Sequence, residues 1–138
     1  MRYFCLSVIG TTGTILTAAM GGWDYTLQAL FIFMAIDYFT GIITAGVFKK
    51  SRKSETGALS SSIGFMGLIR KAMMLIFVII GYHLDNVVGW DFIRNGVIIA
   101  LLANELISII ENAGLMGIPV PPVLKKAIDV LNKKEDVV

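Results

Sequence analysis

The sequence predicts an all-α, multi-pass membrane protein with three to four transmembrane helices and a short cytoplasmic amphipathic helix at the C-terminus. Three observations predict it. Of 138 residues, 56% are hydrophobic and only 16% charged, against about 45–50% and about 25% in a soluble domain. The apolar residues gather into runs close to the roughly 20 residues that a bilayer crossing needs. The basic residues fall on one side once those runs are threaded through a membrane. A single membrane domain over residues 1–138 accounts for the length and leaves little room for a separate soluble one.

The first span is expected at about residues 3–20. It is rich in small residues: Ser7/Thr11 and Gly10/Thr14/Ala18 repeat at the four-residue spacing that lets helices approach closely. Arg2, the apolar stretch and Ala18-Ala19-Met20 resemble a signal peptide. The cleavage site is poor, however, and the run stays uncharged through Trp23, so a span is the expectation. Gly21-Gly22 make a turn, with Trp23 and Tyr25 at a membrane–water boundary. Cys5 is the only cysteine and cannot form an internal disulfide.

The second span, about residues 25–47, carries Asp37, Thr40, Gly41 and Thr44 at the spacing that puts all four on one helical face. A charge facing hydrocarbon at mid-membrane costs about 2.5 kcal/mol or more, so this face should meet protein or water. The basic, serine-rich loop after it holds Lys49, Lys50, Arg52 and Lys53, with Ser51 and Ser54.

The third span, about residues 68–88, is short of apolar length, because only thirteen residues separate Lys71 from Asp85. Either Arg70 and Lys71 extend to the inner surface, or residues 63–68 lie along the interface as the start of a tilted span. His83 is the only histidine. Two positions from Asp85 it would face another way on a helix, which argues against a catalytic dyad and for a boundary residue.

The fourth span, about residues 92–112, places Asn104, Ser108, Glu111 and Asn112 on one face, with Glu105 at its edge. Gly114, Gly117, Pro119, Pro121 and Pro122 end it. In the tail, 113–138, apolar positions 124, 127/128 and 131 oppose Lys125, Lys126 and Asp129, as in an amphipathic helix lying on the membrane surface.

With both ends inside, eleven of the twelve Lys and Arg are cytoplasmic; only Arg94 lies outside, beside Asp24, Asp85 and Asp91. Omitting the first span moves only Arg2, so a cytoplasmic C-terminus is expected with three spans or four. At 1.5 Å per residue, Asp37 sits roughly 16 Å, and Glu105 roughly 13 Å, from the inner ends of their spans. Two carboxylates at that depth need compensation. Glu111 and Arg70/Lys71 share the inner boundary, where an ion pair is expected. The sequence has no phosphate-binding glycine loop, paired-histidine or cysteine metal pattern, or nucleophile elbow. No enzyme activity and no cofactor are therefore expected. A net charge of +2 makes no case for a nucleic-acid partner.

Asp37-Tyr38-Phe39-Thr40-Gly41, then residues 62–71 ending in Arg70-Lys71, then residues 104–112 from Asn104-Glu105 to Glu111-Asn112, then Gly117-Ile118-Pro119 follow in an order that resembles the phage lysis and toxin-secretion holin family. The resemblance covers nearly the whole chain. It implies a small protein of the bacterial cytoplasmic membrane, in contact with membrane lipids. Such a protein accumulates, forms homo-oligomers and opens lesions that release an endolysin or a toxin, in some cases held in check by an antiholin. The family supplies no catalytic residues, so Asp37, Thr40, Gly41, Thr44, Arg70, Lys71, Asn104, Glu105, Ser108, Glu111 and Asn112 are candidates for gating and assembly. Two other readings stay open: a small ion or solute channel or transporter using Asp37 and Glu105, and an antiholin-type subunit that makes no hole alone.

Overall fold

The computed structural model describes residues 1–50, 56–58 and 60–137. Arg52, Lys53, Ser51 and Ser54 lie outside the described residues. The architecture is five helices: α1 (Arg2–Ala19), α2 (Tyr25–Gly46), α3 (Ser61–Val88), α4 (Ile93–Leu115) and α5 (Pro122–Val137), with no strand among the described residues. Helices α2, α3 and α4 are long and apolar enough to cross a membrane.

Local chemistry sets the helix ends. Asp24 caps α2 by accepting from the Leu27 N–H at 2.9 Å, and Ser60 caps α3 by accepting from the Ile63 N–H at 3.3 Å. Gly89 ends α3 in the left-handed conformation (φ 76°) that glycine adopts without steric cost. The third helix is 28 residues long and continuous from Ser61. The segment 63–68 is thus its first turns rather than a separate interfacial element.

Helix α4 is the centre of the bundle. It packs along α2 and along α3, whereas α2 and α3 barely touch each other. Close approach of α3 to α4 depends on Gly81, where a Cβ would stand 3.1 Å from Arg94 Cα and 3.3 Å from Val97 Cγ2. The apolar core joins Met20, Leu27, Leu30, Met34, Val78, Ile98 and Leu102. It lies toward the end of the bundle where α2 begins and α3 finishes. At the opposite, basic end the contacts between helices become polar.

Helices α1 and α5 behave differently from each other. Helix α1 is exposed along its length and packs extensively against none of the others. Four of its hydroxyls bond within the helix: Ser7, Thr11, Thr14 and Thr17 each donate to the carbonyl four residues back, at 2.8–2.9 Å. Helix α5 does not stand off as a surface helix. It packs against α4, and Leu131 reaches the apolar core. Ala127, Ile128 and Leu131 are half-buried, whereas Leu124 of the same apolar stripe stays exposed. The lysines Lys125, Lys126, Lys133 and Lys134 remain exposed.

Candidate gating and assembly site

The α2 face falls as its spacing requires. Asp37 and Thr44 are buried, and Thr40 and Gly41 half-buried, against α4. Thr44 donates to the Thr40 carbonyl at 2.7 Å, and Thr40 to the Asp37 carbonyl at 3.1 Å. Asn112 reaches across from α4, donating to Thr40 Oγ1 at 2.9 Å and lying 3.3 Å from Asp37 Oδ1. Gly41 faces that amide: a Cβ there would make ordinary contact, 3.8 Å from Asn112 Nδ2.

The charge on Asp37 is met by Lys71. The Lys71 ammonium lies 2.7 Å from Asp37 Oδ2 and 2.6 Å from Glu105 Oε2. The side chains of Lys71, Asp37 and Glu105 are only 13%, 5% and 2% exposed, respectively. One charge from each of α2, α3 and α4 therefore meets at a single point. The sequence left open how two deep carboxylates could coexist; one shared cation answers it. Lys71 does not extend to the inner surface. It turns inward, and the expected pair between Glu111 and Arg70 or Lys71 does not form within the chain.

The rotation of α4 also differs from the expectation. Glu105 and Asn112, two helical turns apart, are the buried positions. Asn104 and Glu111 are exposed and Ser108 half-buried. These last three form one wall of a cavity of about 360 Å³ between α2 and α3, whose floor is α4. Glu105 is at the centre of the helix contact rather than at its edge, because it is the α4 carboxylate that can reach Lys71. Arg70 lines the same cavity and is exposed. On the α3 side, Gly64 and Gly67 make a flat seat for the Tyr38 ring, and the Tyr38 hydroxyl donates to the Gly64 carbonyl at 3.3 Å.

A second polar cluster closes the opposite end, and its role was not evident from the sequence. Arg94 is buried; it donates to the Met20 carbonyl, to the Gly22 carbonyl at 3.0 Å and to Asp24 Oδ2 at 2.7 Å. Asp85, from α3, accepts from the Ile93 and Arg94 N–H groups at 2.9 Å, supplying the first turn of α4 with acceptors. Burial pushes the Asp24 carboxyl up, but bonds from Arg94, the Leu27 N–H and Thr26, with the Arg94 charge, outweigh it and hold the group below its ordinary value. His83 is exposed and stacks edge-on with Tyr82, while Asp85 is occupied elsewhere, so no dyad forms. The signal available in the sequence was the lone outer arginine among three aspartates.

Among the described residues, no group of three or more His, Cys, Asp and Glu is arranged to hold a metal ion. The site offers one shared cation, two carboxylates, an amide, hydroxyls and a small polar cavity. That set can hold helices together and hold water, and it presents no nucleophile with an activating base.

The sequence pattern that defines the bacteriophage holin family matches residues 14–133. An uncharacterised protein of Halalkalibacterium halodurans is 37% identical over 134 residues, covering 90% of this chain and 93% of the relative. A Clostridium perfringens protein, also uncharacterised, is 35% identical over 130 residues, 92% of each chain. A probable holin of Bacillus phage phi105 is 26% identical over 111 residues, 80% of this chain and 76% of the relative. No solved structure matches.

Proposed function

This chain belongs to the bacteriophage holin family, and from that premise we propose that it accumulates in the bacterial cytoplasmic membrane as a closed bundle, then self-associates and opens lesions. Through those lesions an endolysin or a toxin leaves the cell, and lysis follows. The observation that carries the proposal is the Asp37–Lys71–Glu105 cluster. It hides polar faces of three apolar helices in one place, using groups that a purely structural bundle would do without. Replacing a buried ion cluster by apolar residues is often neutral or stabilising, so its presence fits a bundle that must also exist open. In the closed state the charges satisfy one another. In an open assembly the same faces can line water.

A single chain cannot make such a hole. Each helix is about 10–12 Å across with its side chains, and three of them enclose no passage for a folded enzyme. Many copies must contribute, with the populations of closed and open states shifting through a few kcal/mol of differential packing.

The test is timed expression with and without a co-expressed endolysin. Abrupt loss of viability, with lysis only when the endolysin is present, is the expected result. Leakage of ions without release of a folded enzyme would instead favour a small channel built on the same charges. Silence on expression alone, relieved by a second membrane protein, would favour a regulatory subunit.

A further inference from the structure

We propose that the cleft between α2 and α3 docks a second copy of this chain, with Arg70 of one copy paired to Glu111 of the other. The proposal deepens the reading of the chain as self-assembling and rests on it. Arg70, on α3, and Glu111, on α4, line the same cavity, both are exposed, and no ion pair joins them to each other or to any other described residue. Lys71, one position from Arg70, is fully committed to Asp37 and Glu105. Asp37 holds Lys71 and Asn112. The cleft thus carries two exposed charges of opposite sign that make no ion pair with any described residue.

Charge complementarity selects the occupant. A lipid phosphate would serve Arg70 but would leave Glu111 beside it without a cation. A solvated amine or metal cation would do the reverse. A second copy brings both groups at once. A surface bearing one charge of each sign is self-complementary under two-fold rotation: each arginine meets the other chain's glutamate, and the contact is made twice. Arg is suited to this, because its planar fork can hold a carboxylate through two parallel bonds.

The test uses the full-length chain in membranes, in two differently tagged forms. One carries Arg70→Cys and the other Glu111→Cys, with Cys5→Ser in both. A short thiol crosslinker should join the two tags, and chains lacking either new cysteine should give no such product. In a second arm, Arg70→Glu and Glu111→Arg are expressed singly, together in one chain, and mixed as two chains. Each single change should abolish crosslinking through a reporter cysteine at Ser108, and the mixture of the two chains should restore it. Restoration by the double change in one chain but not by the mixture would mean that the pair forms within a chain, and the proposal would be wrong. No joined tags, and no restoration in either arrangement, would equally overturn it and would leave Arg70 to lipid phosphate. None of these readouts depends on lysis. A chain that crosslinks but does not lyse would refute the lesion-forming reading while leaving this contact standing.

Discussion

Replacing Lys71 by Met removes the cation that both Asp37 and Glu105 contact. Each contact, at 2.6–2.7 Å, is worth about 6 kcal/mol in gross Coulomb terms at an effective dielectric of about 20. That gross gain is offset by the several kcal/mol of desolvation that each buried ion costs. The net effect of leaving a buried charge without its partner is about 3–5 kcal/mol. Lys71→Met takes this partner from both carboxylates, so a loss of about 3 kcal/mol is expected, equivalent to a factor on the order of 100 in the closed population. Glu105→Gln should behave quite differently. It leaves the Asp37–Lys71 pair intact at net charge zero and should cost about 1–2 kcal/mol at most. The triple change Asp37→Asn, Lys71→Met, Glu105→Gln removes every charge and should recover most of the loss. The assay is thermal unfolding of the purified protein in one detergent, with limited proteolysis in membranes as a second readout. The expected order of stability is wild type, Glu105→Gln, triple variant, then Lys71→Met well below the rest. If Lys71→Met unfolds with the wild type, or no lower than Glu105→Gln, the cluster is not what holds the three helices together.

Gly81→Val should destabilise the bundle by about 1–3 kcal/mol, because even the first carbon of the new side chain would stand only 3.1–3.3 Å from Arg94 backbone atoms; the same unfolding assay reads it. Gly41→Leu should press on Asn112 and delay or abolish lysis with insertion intact, read as optical density against time beside a membrane-fraction blot. Asp24 has a depressed carboxyl, so its contribution to the corner between α1 and α2 is complete above the ordinary carboxylate range, about pH 4. That contribution is lost as pH falls through the lower folded value. Trp23 emission in a Trp90→Phe background should report one transition below about pH 4, absent in Asp24→Asn; a transition that survives Asp24→Asn would contradict this. A reporter active only outside the membrane, fused after Val138, should be silent, and activity there would overturn the topology.

The helices are legible in the sequence because their signals are local. Four apolar runs place α1 to α4, three of them with the length and hydropathy for a membrane, although the start of α3 at Ser61 lies seven residues before the expected span. The α2 face is legible for the same reason: a spacing of three and four needs no partner to be read. What Lys71 does is not legible. Its partners are 34 residues away on either side, and nothing local distinguishes a lysine that turns inward from one that extends to a surface. The rotation of α4 escapes the sequence on similar grounds. In a helix that is apolar nearly all round, a polar stripe one position wider or narrower is almost equally consistent with the pattern. The burial of Ile98, Leu102 and Leu106 and the contact with Lys71 together put Glu105, not Asn104, on the inner face. The contact of α5 with α4 is equally hidden, because nothing local in an amphipathic stripe names the helix it packs on.

The one-charge-per-helix arrangement also bears on how the chain is made. Asp37, Lys71 and Glu105 leave the ribosome in that order, one on each successive long helix. As each helix enters the bilayer, the running charge at that depth goes from minus one to zero and back to minus one. The helices α2 and α3 thus reach neutrality as a pair although they scarcely pack together. In the folded bundle the ammonium of Lys71 ties α2 to α3 where little packing between them does. When α4 arrives it brings the packing that the first two lacked, and Glu105 can reach the same ammonium only in one vertical register. The shared ammonium thus joins all three long helices at the same height.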